Sequence, residues 1–350
     1  MKRFLFACLA AGALVLGSEI ARADDDGNVQ EFAVLPSGVR YPEGITANPA
    51  NGDIFVATFD FGPNANKLMR FDRRGNLDAV KDFGGTPLLG LGFAGGKVYI
   101  LNMGASQLQR IPANFSASTA VEIVATFPKI GAPTPRTTGN PDGSSDVITF
   151  GSSNFPAPNA MVFDHNGNLY VSDSFQGAIY KIASAATCAT PCAVTVLKHD
   201  PLLATAGFPP FGANGLALNG DDTVLFIANT GDNRVLKHTF ANDTLSVLAE
   251  SVHGADGLLF ENGRLWVAAN QGDELVALNA QGRPIARLGS FEGVGRDGRP
   301  NGLLFPASMV IVGDWMYVTN LALPLTAAVG DEPEEDVTRW NIARVRVPRR

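Results

Sequence analysis

Glu43, Asn159, Asn214 and Asp256 occupy one recurring position of a phrase that the chain repeats six times. The copies read PEGITANPANGDIFV, LGLGFAGGKVYI, NAMVFDHNGNLYV, NGLALNGDDTVLFI, DGLLFENGRLWV and ASMVIVGDWMYV, and in the second and sixth the position falls to Leu89 and Ala307. Two carboxylates and two amides make a hard-oxygen set with neither thiolate nor imidazole. Such donors suit calcium, which takes about 6–8 oxygens in flexible geometry, better than zinc or copper. A divalent cation, calcium first, is therefore the expected cofactor, with water or substrate completing its shell. Asn, Asp and Glu beside Gly also build turns, because their side chains bond local backbone. Turn chemistry gives little reason to place Glu once, Asp once and Asn twice in otherwise parallel phrases.

For four such side chains to converge on one ion, the scaffold must carry equivalent positions around one axis. The intervals between successive variable positions are 46, 70, 55, 42 and 51 residues, close to the roughly 40–50 of one propeller blade. Within a repeat the alternation has period two, as in Asn168-Leu169-Tyr170-Val171-Ser172 and Ala178-Ile179-Tyr180-Lys181-Ile182, which predicts paired short strands. The 38 Gly and 22 Pro favour turns over helices. The expected fold is all-β, a six-bladed β-propeller with four-stranded antiparallel blades around a central channel. In the first repeat the strands fall near Ile45 and over residues 53–58, 67–72 and 79–83. The last repeat supplies only residues 309–312, 316–320 and 342–347, so its outer strand is expected from residues 29–35. The long interval holds an insert at about 112–158, whose stretch 133–153 is rich in Pro, Thr, Gly, Asn and Ser. Such a loop is either a lid at the channel mouth or a surface insertion. Residues 327–336 read as an acidic, solvated loop.

A second polar position recurs three residues after the aromatic of the second strand: Thr58, Asn102, Asp173, Asn229 and Asn320, with Asn270 falling one residue later. These read as strand-ending turn formers without a catalytic role. His165, His199 and His238 read as surface residues, whereas His253, three residues before Asp256, is the histidine that could approach the channel. No GxSxG phrase supports a serine nucleophile.

Lys2 and Arg3, the apolar run that follows and Ala21-Arg22-Ala23 read as a secretory signal over residues 1–23. The mature chain, residues 24–350, is then one propeller domain, periplasmic or secreted and without a membrane span. Loss of three cations and one anion with the signal takes the formal charge from −7 to −9. That balance argues against nucleic acid or an anionic membrane as partner. The two remaining cysteines, Cys188 and Cys192, lie four positions apart, and in an exported chain they are expected to pair as a local disulfide.

PEGI around Glu43, PNAMVFDHNGNLYVSDS around Asn159, ANGLAL around Asn214 and ADGLLFENGRLWVA around Asp256 resemble the SMP-30/gluconolactonase/LRE family of six-bladed propellers. Paraoxonase-like lactonases and strictosidine-synthase-like proteins are its relatives, and the resemblance spans roughly residues 30–325. It implies Glu43, Asn214 and Asp256 as ligands of a divalent cation, with Asn159 completing the site or binding substrate, and Asp256 as general base. The base role sits uneasily with metal ligation, since a bound dication makes a carboxylate less basic. The implied chemistry is hydrolysis of a small lactone or related ester. No sugar-binding arginine matches the family pattern, and the insert before Asn159 is longer than the resemblance leads one to expect. A non-catalytic propeller binding a ligand or protein, and a lyase or condensing enzyme on the same scaffold, are the alternatives.

Overall fold

The computed structural model describes residues 29–151, 155–326 and 331–348. The expected signal at 1–23 lies outside them, as does part of the acidic loop. Six four-stranded antiparallel sheets surround a central channel. Their innermost strands are Pro42–Ala47, Leu88–Ala94, Pro158–Phe163, Ala213–Leu218, Ala255–Glu261 and Pro306–Val312, which head blades I to VI. Blade I continues through Ile54–Thr58, Asn66–Phe71 and Leu77–Gly84, close to the strands read from its alternation. Helical structure among the described residues is confined to short 3₁₀ turns.

Blade VI takes its outer strand from the start of the chain. Gln30–Val34 pairs with Asn341–Arg346, with Gln30 opposite Arg344 and Val34 opposite Asn341, as the incomplete last repeat required. This pairing closes the ring and removes the free edge that an open array would leave.

The second strand of each blade is buried on both faces, Ile54–Thr58 throughout. The core is accordingly divided into seams between neighbouring blades. Phe55, Ala57 and Leu68 of blade I pack on Leu88, Val98 and Ile100 of blade II. Tyr99 and Leu101 meet Val171 and Tyr180 across the next seam, and Phe32 and Tyr317 of blade VI meet Ile45 and Met69 of blade I.

The insert departs from a plain loop. Arg136–Gly139 and Ser145–Ile148 form a two-stranded hairpin, a structure its short polar residues did not announce. The insert is also shorter than the 112–158 read from the sequence, because Glu122–Thr126 is the outer strand of blade II. Gln176 holds the segment that follows, its Oε1 accepting from the Ile130 and Gly131 amides at 2.7 and 2.9 Å. Arg136 reaches Asp232 beside blade IV at 3.4 Å. Cys188 and Cys192 form a disulfide with their Cα atoms 5.7 Å apart. Among the described residues no helix is long and apolar enough to cross a membrane.

Candidate metal and active site

Every innermost strand is bulged at its variable position. Pro42 pairs with Thr58 and Ile45 with Val56, so Glu43 and Gly44 together oppose the single residue Ala57. The same two-against-one step falls at Leu89, Asn159, Asn214, Asp256 and Ala307. A bulge re-aims the side chain it carries, and here Glu43, Leu89, Asn159, Asn214 and Asp256 all line one cavity on the channel axis. The small residue after the variable one follows from crowding at that axis. A Cβ on Gly215 would collide with the backbone carbonyl of Asp256 in the next blade, and one on Gly44 with that of Leu89.

Hydroxyl groups from the ends of the second strands orient the amides. Ser174 Oγ donates to the Ala213 carbonyl at 2.7 Å, so toward Asn159 it can only accept, and Asn159 Nδ2 donates to it at 2.9 Å. Thr230 repeats the arrangement one blade on, donating to the Ala255 carbonyl at 2.7 Å and accepting from Asn214 Nδ2 at 2.9 Å. A hydroxyl has one proton to give. That single proton fixes which end of each amide faces away, and it is the oxygen. In blade V, Asn270 Nδ2 donates to Asp256 Oδ2 at 3.0 Å, while its own oxygen rests against Gly254, where φ is +60° and a Cβ would collide with it.

The outcome is a set of buried oxygens without protein partners: Glu43 Oε2, Asn159 Oδ1 and Asp256 Oδ1. Glu43, Asn159, Asn214 and Asp256 are 4%, 2%, 5% and 4% exposed. Burial pushes the Asp256 carboxyl up to about 7, with hydrogen bonds from Asn270 and Asn214 pulling the other way. Burial first, and the neighbouring Asp256 second, push Glu43 well above the usual carboxylate range. No Arg, Lys or His is among the residues lining this cavity. Buried carboxylates are normally paired or coordinate a metal, and a hard cation is the partner whose chemistry matches these donors. The cavity encloses about 40 Å³, against about 10–15 Å³ for one water. An ion with a small ligand fits; a whole organic substrate does not.

Around the axis the site has two halves. The residue just past each second strand is Ser174, Thr230 and Asn270 in blades III to V, but Phe59, Met103 and Leu321 in blades I, II and VI. Asn270 is therefore no slipped turn former. Ala269 holds the turn-forming position in blade V, opposite Ala255, and Asn270 is the counterpart of Ser174 and Thr230. Asn102, Asp173 and Asn229 do build turns, as where Asp173 Oδ1 accepts from the Phe175 and Gln176 amides. Thr58 and Asn320 do not: Thr58 Oγ1 accepts from the Lys67 amide at 2.9 Å and Asn320 Oδ1 from the Leu304 amide at 3.1 Å, tying together segments distant along the chain.

Of the histidines, His253 is exposed and lines a groove between blades IV and V instead of this cavity. His238 corrects the surface reading. It is 2% exposed, bonded to Asp243 at 2.8 Å and set edge-on against Phe240, because its position on the third strand of blade IV faces inward.

No family model matches the chain, and no curated protein matches it in sequence. Solved structures match it in fold. Regucalcin from Agrobacterium tumefaciens, a calcium-binding protein, aligns with a TM-score of 0.58 at 15% identity over 90% of this chain and 94% of its own. A gluconolactonase from Xanthomonas campestris gives 0.57 at 11% identity over 91% and 89%. Virginiamycin B lyase from Staphylococcus aureus gives 0.55 at 12% over 92% and 99%. At these identities the likeness carries the six-bladed propeller implied by the family resemblance, and the chemistry rests on this chain's own residues.

Proposed function

We propose that the chain is a metal-dependent hydrolase of small lactones or related esters, with a divalent cation, calcium before others, held by Glu43, Asn159, Asn214 and Asp256. The observation that supports this most directly is the group of buried, unpartnered oxygens on Glu43, Asn159 and Asp256 in one anionic cavity. When bound, the cation supplies positive charge that polarises a substrate carbonyl and stabilises the developing oxyanion. Asp256 is a ligand first and a base second, accepting the proton of the attacking water. Its burial raises its basicity while a bound cation lowers it, and the two effects oppose each other at one carboxylate. Asn270 holds Asp256 in place, and Asn159, whose amide oxygen Ser174 leaves free, completes the cation's shell or binds the substrate. The Cys188–Cys192 disulfide is compatible with an oxidising compartment, the periplasm or the outside of the cell.

The test is reconstitution. Protein stripped of metal by chelation should be inactive on a panel of lactones and aryl esters and should regain turnover with calcium. Product analysis separates hydrolysis from a lyase or condensing reaction. If the calcium-loaded protein opens no member of the panel, the hydrolase reading fails.

A second reading, a non-catalytic propeller that binds a ligand at the same mouth, draws on the apolar side chains above the cavity, among them Phe59, Phe211 and Leu323. Saturable binding of a ligand that leaves unchanged would favour it.

A further inference from the structure

The approach to the cavity is aromatic. Phe61, 69% exposed, packs edge-on against Phe59 with ring centroids 4.9 Å apart. Phe59 meets Phe211 at 6.1 Å, and Phe211 meets Phe175 at 5.4 Å. Phe59 and Phe211 are rings of the cavity wall, with exposed Phe61 and half-buried Phe175 flanking them. Phe305, Leu321, Leu323 and Leu325 complete the apolar side, and the polar lining is confined to the deeper oxygens with Thr230 and Asn270.

Resting on the hydrolase reading above, we infer that the substrate is a lactone or ester with an aliphatic or aromatic body, not a polyhydroxylated sugar lactone. The cavity holds too little space for a substrate skeleton, so a molecule whose carbonyl reaches the buried oxygens must lay that skeleton against the collar. Each sugar hydroxyl placed there would lose water without gaining a partner, which is unfavourable. Each methylene placed there gains, by about fourfold in binding. Glu43 and Asp256, the charged groups of the lining, are each 4% exposed, and on the hydrolase reading their free oxygens hold the cation, not substrate hydroxyls.

The test compares calcium-loaded wild type and Phe211→Ser on an alkyl δ-lactone, dihydrocoumarin and D-glucono-1,5-lactone. Wild type should favour the alkyl or aryl lactone by at least about tenfold in kcat/KM, and Phe211→Ser should cut that preference by about tenfold. Equal or better turnover of the sugar lactone by wild type overturns the inference and leaves the hydrolase reading standing. If no lactone turns over, that reading fails, and binding of N-phenyl-1-naphthylamine decides the collar separately. Tight wild-type binding weakened in Phe211→Ser supports an apolar ligand; binding that is absent or unaltered overturns it.

Discussion

Asn270 Nδ2 donates to Asp256 Oδ2 at 3.0 Å, and the other carboxylate oxygen of Asp256 is left buried without a protein partner. One oxygen is fixed so that the other has a defined direction. Asp256→Ala should therefore abolish calcium binding with the β-sheet spectrum retained, whereas Asn270→Ala should weaken it by about 10- to 100-fold, the usual cost of losing a group that orients a ligand. Calorimetric titration checks both; full affinity in Asp256→Ala would contradict the ligand assignment.

The hydroxyl clamps give a prediction that does not touch a ligand. Thr230→Val keeps the shape but cannot accept from Asn214 or donate to the Ala255 carbonyl. Calcium affinity should fall by about tenfold or more, and Thr230→Ser should restore it. Equal affinity in all three proteins would show that Asn214 needs no such support.

The raised carboxyl of Asp256 sets the sign of a pH effect. Its folded value of about 7 lies above the unfolded value near 3.8, so the associated stability is full below about pH 4 and is lost as pH rises toward 7. A shift of that size corresponds to about 4 kcal/mol at most, and Glu43 acts in the same direction. Lowered carboxyls such as Asp72 and Asp82 lose their contribution only below about pH 4. Metal-free protein should thus melt at a lower temperature at pH 7.5 than at pH 5, and calcium should recover the loss at pH 7.5. A melting temperature of the metal-free protein that rises over this interval would refute the assignment.

Crowding at the axis predicts a stability cost away from the chemistry. Gly215→Ala places a methyl group against the Asp256 backbone carbonyl, a neighbour that cannot rotate aside. Overpacking of this kind costs about 1–3 kcal/mol or more, read as a lower denaturant midpoint. An unchanged midpoint would mean that the inner strands can separate without penalty.

Much of this was legible in the sequence because one constraint shaped every repeat. The small residue beside the variable one marks the bulge, and comparison of the copies isolates Glu43, Asn159, Asn214 and Asp256. The support layer was harder to see. Counting from the aromatic of the second strand stops one residue short of Ser174, Thr230 and Asn270, and Asn270 alone betrayed the true position by falling late. His238 and the insert hairpin were illegible for another reason. Asp243 rejoins His238 through a left-handed turn five residues on, and Arg136–Gly139 carries no apolar alternation to mark a strand.

The pairing of Gln30–Val34 with Asn341–Arg346 brings the two ends of the described chain to the same edge of blade VI. The ring then has no privileged beginning. Val29 and Pro348 joined by a short linker, with the backbone opened at the loop between blades I and II, would give a circular permutant in which the first and last strands are consecutive. Such a protein would exchange its present seam for a hairpin while presenting the same oxygens to the axis.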